Sequence, residues 1–300
     1  MVYIVKNNKE NYVVSLIESN DGSLIQKIET IIGSYDFVIK GRHTHRYFDG
    51  ALSFEICAET SKLTDFKNKI SEISSQYKCD VFVQPSDLKP RGLVVFDMDS
   101  TLIQHEVIVE LAQEAGVSDE VSDITESAMR GEIDFSESFR RRMALLEGID
   151  ISVLDSIFDN LNMTPGASRL LTFLKEHGFK VAILSGGFTY FAERIRDKFG
   201  LDFVCANEII VKDGKVTGEA GDLIVDADVK ANTLQQLMEQ YAFTADDVVA
   251  IGDGANDLKM IHKAGLGISY HGKALVRRES PYSINYSGLD AAIVFLQHND

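Results

Sequence analysis

Five short apolar runs constrain this 300-residue chain more than any other feature: residues 93–96 (LVVF), 181–184 (VAIL), 203–206 (FVCA), 248–251 (VVAI) and 266–268 (LGI). None alternates with polar residues, so each suits a strand buried on both faces of a parallel sheet. Helix-like segments separate them, and that alternation predicts a doubly wound α/β domain. Ligands of such domains sit at the carboxyl ends of the strands. Three of these runs end in short polar motifs: Asp97-Met98-Asp99-Ser100-Thr101-Leu102, Ser185-Gly186-Gly187 and Gly252-Asp253-Gly254-Ala255-Asn256-Asp257. A long charged helical stretch, about residues 108–163, follows the first run and predicts an inserted cap.

Residues 1–85 read differently. A strand over 12–18, a helix from Ser23 to about Ile32, a hairpin of 37–47 and 51–58 around Asp49-Gly50, a helix over 64–76 and a strand over 80–83 give a βαββαβ order. That order predicts a small ferredoxin-like α+β domain. It resembles the ACT family of regulatory domains, with Asn20-Asp21-Gly22-Ser23-Leu24 and Ile28 similar to that family's first strand-to-helix turn. The resemblance implies a regulatory or dimerisation role and a homodimer formed through this domain. Pro85 and Pro90 flank a polar stretch, so residues 86–91 read as a linker and 92–300 as the second domain.

Charge sharpens the division. Residues 1–90 carry a net charge of −1, and residues 91–300 carry −15 of the total of −16. So acidic a chain argues against nucleic acid or an anionic membrane as partner. No apolar run is long enough to cross a bilayer, and the start shows no basic head followed by an apolar core. Three scattered cysteines, Cys57, Cys79 and Cys205, form no C-x-x-C pair, which fits a reducing cytoplasm better than a disulfide scaffold.

The strand-end motifs carry the chemistry. A lone D-x-D is more often a turn, but here it follows a buried run directly. Asp97 can attack phosphorus and form an aspartyl phosphate. Asp99 can protonate the leaving oxygen and later take a proton from water. Ser185 offers a hydroxyl, and the glycines after it let backbone N–H groups approach a phosphate. Lys230 precedes a helix and can neutralise phosphoryl oxygens. Asp253 suits Mg²⁺, which prefers oxygen ligands, and Asp257 can orient the lysine or the metal's waters. The rival nucleotide-loop fingerprint G-x-G-x-x-G fails, because Asp257 takes the last glycine's place. His43 and His45 share a strand face but lack a third ligand, and His105 and His262 read as surface groups.

Together these motifs resemble the haloacid dehalogenase-like superfamily of aspartate-nucleophile phosphatases, over residues 92 to about 290. An acid at Asp99, where the superfamily's ion pumps carry Thr, implies a phosphatase or phosphomutase. The closer resemblance is to the phosphoserine phosphatase family. It is carried by residues 97–102 with Glu106, by the cap runs ESAMRGEIDF (126–135) and FRRR (139–142), and by LSGGF (184–188). It implies Mg²⁺-dependent hydrolysis of O-phospho-L-serine, the last step of serine biosynthesis. The alternatives are another small phosphorylated metabolite and phosphoryl transfer to an acceptor such as homoserine. The resemblance assigns Glu106 to the substrate ammonium and Arg142 to its carboxylate. It assigns Met129 and Phe135 to the closed cap, and Ser185, Gly186, Lys230 and Asn256 to the phosphoryl group. One Mg²⁺ per site would lie on Asp97, the Asp99 backbone carbonyl and Asp253. Two departures stand out: Met98 where the family often has Phe, and Val109 where it often has an acid.

Overall fold

The computed structural model describes residues 9–17, 22–45, 48, 50–87 and 92–296. The predicted turn residues Asn20, Asp21 and Asp49 lie outside the described residues, as do 88–91 of the predicted linker. The chain forms two compact units: residues 1–90 with 284–300, and residues 91–283.

Unit 1 contains β1 (Lys9–Ile17), α1 (Gly22–Ser34), β2 (Val38–Thr44), β3 (Ala51–Glu59), α2 (Leu63–Tyr77) and β4 (Val81–Pro85). Its antiparallel sheet has the order β2-β3-β1-β4, the ferredoxin-like arrangement. Alternation explains the core. Tyr12, Val14 and Leu16 of β1 point to the face covered by Leu24, Ile28 and Ile32 of α1 and by Phe66, Ile70 and Ile73 of α2. On the other face Ser15 pairs with Ser53, and their hydroxyls share a 2.8 Å hydrogen bond that satisfies both buried groups. Residues 285–296 also belong to this unit. Asp80 accepts the backbone N–H groups of Asn285 (2.9 Å), Tyr286 (3.0 Å) and Ser287 (2.8 Å). Beyond them Phe295 packs on Phe82, and Gln84 Nε2 donates to the Val294 carbonyl (3.2 Å).

Unit 2 opens with β5 (Leu93–Phe96). The cap follows as α3 (Val107–Ala115), α4 (Ser118–Met129), α5 (Phe135–Ala144) and α6 (Ile151–Asn160). The chain then runs through α7 (Ala167–Glu176), β6 (Lys180–Phe188), α8 (Thr189–Phe199), β7 (Phe203–Asn207), β8 (Ile209–Lys212), β9 (Lys215–Ala220) and α9 (Ala227–Gln240). It continues as β10 (Val248–Gly252), α10 (Leu258–Lys263), β11 (Leu266–Tyr270), α11 (Ala274–Glu279) and β12 (Tyr282–Ile284); α12 (Ile293–Leu296) lies in the segment returned to unit 1.

Six strands form the main sheet in the order β12-β11-β10-β5-β6-β7. The pairs from β11 through β7 are parallel. All four residues of β5 and all five of β10 are buried, as unbroken apolar runs in a two-sided sheet require. The cap's two roots are stitched together: Gln104 N donates to Asn162 O (3.0 Å), and Thr164 N donates to Leu102 O (2.9 Å). The β8–β9 hairpin is an addition to the five strands that the apolar runs predict. Its turn residues Asp213 and Gly214 both have positive φ, 51° and 77°, the backbone a two-residue hairpin turn needs.

Candidate active site

Parallel topology brings the ends of β5, β6 and β10 together, and the site grows from them. Asp97 follows β5; its backbone N–H donates to Ile251 O of β10 (2.9 Å), and its Oδ1 accepts the Met98 N–H (2.7 Å). The chain then turns sharply. Ser100 has φ 56°, and Thr101, Leu102 and Ile103 all donate to the Met98 carbonyl. This turn returns Asp99 toward the end of β6. A side-chain carbon at Gly187 would stand only 2.6 Å from Asp99 Oδ2, so a larger residue there would displace the carboxylate. Asp99 Oδ1 is buried without a hydrogen-bond partner, an unusual state for a carboxylate oxygen.

Lys230 lies in the first turns of α9, whose N-cap Asp226 accepts the Val229 N–H (2.9 Å). Its ammonium is fully buried, 3.0 Å from Asp97 Oδ1 and 2.7 Å from Asp257 Oδ1. Burial alone would lower its pKa, but the Asp257 and Asp97 carboxylates raise it, so it stays protonated. The other oxygen of Asp257 accepts the backbone N–H groups of Asp253 (3.1 Å) and Gly254 (2.9 Å). Both Asp257 oxygens are therefore used within the protein, which makes it a clasp for the loop after β10.

Negative charge is crowded here. Oxygens of Asp97, Asp253 and Asp257 lie within 4.8 Å of one another. Burial first, then Asp97 and Asp257, pushes Asp253 up to about 7. Burial and Asp97 hold Asp257 at about 6 against the pull of Lys230. Burial, with Glu106 and Asp97, raises Asp99 well above the usual carboxylate range. One buried lysine among Asp97, Asp253 and Asp257 leaves negative charge that a hard divalent cation would balance, and Asp97 and Asp253 keep oxygens for it. The donor set thus fits a metal ion held by carboxylates.

The glycine loop closes another side of the cluster. Ser185 is buried, and its Oγ accepts the Gly187 N–H (2.9 Å). A side-chain carbon at Gly186 would meet Phe135 Cζ at 3.3 Å and Asn256 Nδ2 at 3.9 Å, so both residues face this loop. Sequence reasoning missed Asn207. Fully buried at the end of β7, it donates to Gly186 O (2.7 Å) and Gly187 O (3.3 Å) and accepts the Val225 N–H (2.8 Å). Amide N–H and C=O point in opposite directions across a trans peptide. By holding the Gly186 carbonyl, Asn207 turns the Gly187 N–H toward Ser185. The polar end of an apolar strand was the available signal, but it reads equally as a loop residue.

The cap residues divide. Glu106 accepts the Ser100 hydroxyl (2.8 Å) and acts electrostatically on Asp99, Asp253 and Arg142. Arg142 is half-buried near the end of α5, with Nε donating to Ser138 O (3.3 Å). Burial lowers its pKa and Glu106 opposes that. Met129 is 73% exposed at the end of α4 and makes no part of the cluster. His105 pairs with Glu110 (2.8 Å), and His262 Nε2 lies 2.9 Å from the Glu279 carbonyl. Among the described residues the aspartate trio is the one metal-capable group, so His43 and His45 do not form a second. No described helix is long and apolar enough to cross a membrane.

The family profile of haloacid dehalogenase-like hydrolases matches residues 92–265. The chain belongs to the haloacid dehalogenase-like hydrolases. Within that class it is similar to phosphoserine phosphatases. It is 43% identical to that of Haemophilus influenzae, over 76% of this chain and 74% of the relative. It is 48% identical to that of Idiomarina loihiensis, over 66% of this chain and 90% of the relative. It spans 66% of the Archaeoglobus fulgidus phosphoserine phosphatase, at 41% identity over 75% of this chain. Among solved structures, a HAD family hydrolase from Salmonella enterica serovar Typhi covers 96% of this chain at a TM-score of 0.89 and 31% identity, with 98% of that chain matched. A probable phosphoserine phosphatase from Vibrio cholerae covers 95% at a TM-score of 0.81 and 31% identity, with 86% of that chain matched.

Proposed function

We propose that this chain hydrolyses O-phospho-L-serine to L-serine and phosphate through an aspartyl phosphate on Asp97. The observation that carries the reading is the buried Asp97–Lys230–Asp257 array beside Asp99, whose Oδ1 is buried without a hydrogen-bond partner. Similarity to phosphoserine phosphatases supplies the substrate.

An oxygen of Asp97 attacks phosphorus in line with the ester oxygen. The P–O bond to serine breaks, and Asp99 gives its proton to the departing oxygen. Water then attacks phosphorus, Asp99 takes a proton from it, and the bond to Asp97 breaks. Burial and the neighbouring Glu106 and Asp97 carboxylates raise the pKa of Asp99, which favours the proton it gives in the first step. Lys230, the Ser185 hydroxyl, the backbone at Gly186 and Asn256 hold the phosphoryl oxygens as charge spreads over them. Mg²⁺ bound by Asp97, the Asp99 carbonyl and Asp253 would supply positive charge to those oxygens. Glu106 takes the ammonium, and Arg142 clamps the carboxylate with its two-pronged guanidinium. Phe135 and Met129 belong to the cap surface that closes on substrate and excludes water.

The ferredoxin-like unit is an ACT-like module that pairs two copies of the chain, and the enzyme works in the cytoplasm. Light scattering that shows a monomer at micromolar protein would remove the pairing.

A phosphate-release screen across phosphorylated metabolites with Mg²⁺ tests the main reading, with phosphoserine expected as the best substrate. Asp97→Asn is expected to lose at least about three orders of magnitude in kcat. Full retention of activity in that variant would sink the nucleophile assignment.

A further inference from the structure

The β8–β9 hairpin takes no part in the chemistry above, yet it is built onto the cap. Gly148 N donates to Val216 O (2.8 Å), Val216 N donates to Ile149 O (2.8 Å), and Ile151 N donates to Gly214 O (2.9 Å). Asp150 and Lys215 pair as an antiparallel bridge. The connection between α5 and α6 is therefore a short third strand on the hairpin, with Leu146, Ile149 and Val216 buried at the joint. Gly218 sets the approach to α5. Its φ is +77°, and a side-chain carbon there would stand 2.9 Å from Glu147 Cβ and 3.3 Å from the Ala144 carbonyl. The hairpin's own roots are clipped together by the bond from Val225 N to Asn207.

Backbone hydrogen bonds fix both distance and direction. Three of them, plus a contact that admits only glycine, define where the C-terminal end of α5 stands. Arg142 lies in that end. We propose that the β8–β9 hairpin is a specificity strap: it positions α5 so that Arg142 meets the substrate's head group, and Gly218 is the positioning residue that sets the spacing. Ser185, Lys230 and the aspartates rest on other elements, so the strap acts on recognition of the amino-acid portion and not on phosphoryl transfer. The assignment rests on the phosphoserine reading for its substrate, but its mechanical part does not.

Two variants test it. Gly218→Val adds bulk at the closest contact and strains a left-handed backbone. Ile151→Pro is gentler. Ile151 is the first residue of α6, where proline suits a helix, and Asp150 already has the extended backbone preferred before proline (φ −71°, ψ 139°). That change deletes one strap hydrogen bond and little else. KM for phosphoserine is expected to rise about tenfold in Gly218→Val and severalfold in Ile151→Pro, because small misplacements of a binding group weaken its grip steeply. KM and kcat for p-nitrophenyl phosphate, which lacks ammonium and carboxylate, are expected to stay at wild-type values. Equal losses on both substrates, or no change on either, would overturn the strap. If Gly218→Val fails to fold, Ile151→Pro decides alone. Amide hydrogen exchange gives the substrate-free readout: Ile151→Pro is expected to speed exchange in residues 135–144 and 209–220 together, and unchanged exchange in 135–144 overturns the proposal. If the wild type does not turn over phosphoserine, the functional reading falls, while the exchange result still decides the strap.

Discussion

Asp80 in unit 1 and Asp97 in unit 2 are both almost fully buried, at 1% and 5% exposure, yet they are held in opposite ways. Asp80 accepts three backbone N–H groups from residues 285–287, so its charge is spent on closing a fold. Asp97 accepts one N–H, shares a lysine with Asp257 and lies within 4.8 Å of two other carboxylates. Burial of a charge does not mark function; leaving its balance incomplete does. The sheets explain the difference. In the antiparallel sheet of unit 1, neighbouring strands end on opposite edges, so polar termini scatter. In the parallel sheet of unit 2, β5, β6 and β10 end on one edge, and their polar termini converge.

Removing Lys230, the ammonium buried between Asp97 and Asp257, breaks the comparison most severely. Lys230→Met keeps the volume and leaves Asp97 and Asp257 facing each other in a buried site. Loss of one partner from a buried pair costs about 3–5 kcal/mol. Phosphate release is expected to fall by about three orders of magnitude, since the phosphoryl charge loses its fixed counterion. A variant that kept both its melting temperature and its kcat would show that Lys230 supplies neither the charge balance of the site nor a counterion to the phosphoryl group.

Asn207 tests whether positioning in unit 2 is as exacting as the charge balance. Asn207→Ala frees the Gly186 and Gly187 carbonyls, and kcat/KM is expected to drop about 10–100-fold. The inhibition constant for inorganic phosphate should rise in parallel, while that for L-serine stays put. A drop confined to L-serine affinity would place Asn207's influence in the cap instead.

Asp80→Ala applies the same surgery to unit 1 and should give the opposite profile. Three orphaned N–H groups cost about 2–4 kcal/mol, read as a lower urea midpoint. The kcat is expected to remain within about twofold of wild type, as for a change remote from the site. A large loss of kcat with unchanged stability would reverse the roles assigned to the two aspartates.

These contrasts also explain what was legible beforehand. The parallel strands were readable because burial on both faces leaves unbroken runs such as LVVF and VVAI. The strand-end motifs Asp97–Asp99, Ser185 and Asp253 were readable because they follow those runs directly. The hairpin is weakly marked in the sequence although Asp213-Gly214 between Val211 and Val216 is a turn signal, because its strands are short and half polar. The bonds of Asn207 reach partners 18–21 positions away, which no local pattern encodes. Likewise, residues 285–296 join unit 1 through Asp80, more than 200 positions earlier.

Protonation gives the finest test, because the two units should respond to pH with opposite signs. His45 in unit 1 is buried, and burial, reinforced by His43, lowers its pKa to about 4 from an ordinary 6.5. The folded state resists the proton that the unfolded chain accepts. Its stabilisation is full above pH 6.5 and fades as pH falls toward 4. Between about pH 7 and 5.5 that amounts to about 1 kcal/mol. In unit 2 the sign reverses. Asp253, raised to about 7, and Asp257, raised to about 6, hold protons that the unfolded chain has released above 3.8. Stability there falls as pH climbs from about 4 to 7, and a divalent cation on the carboxylates offsets the loss by mass action. Segment-resolved hydrogen exchange, corrected for intrinsic rates, reads each unit separately. At pH 5.5 without divalent cation, residues 38–44 and 51–59 should lose protection while residues 248–257 gain it, relative to pH 8. Adding Mg²⁺ at pH 8 should restore protection in 248–257 alone. Movement of both units in the same direction would mean that the crowded carboxylates do not set the stability of their own site.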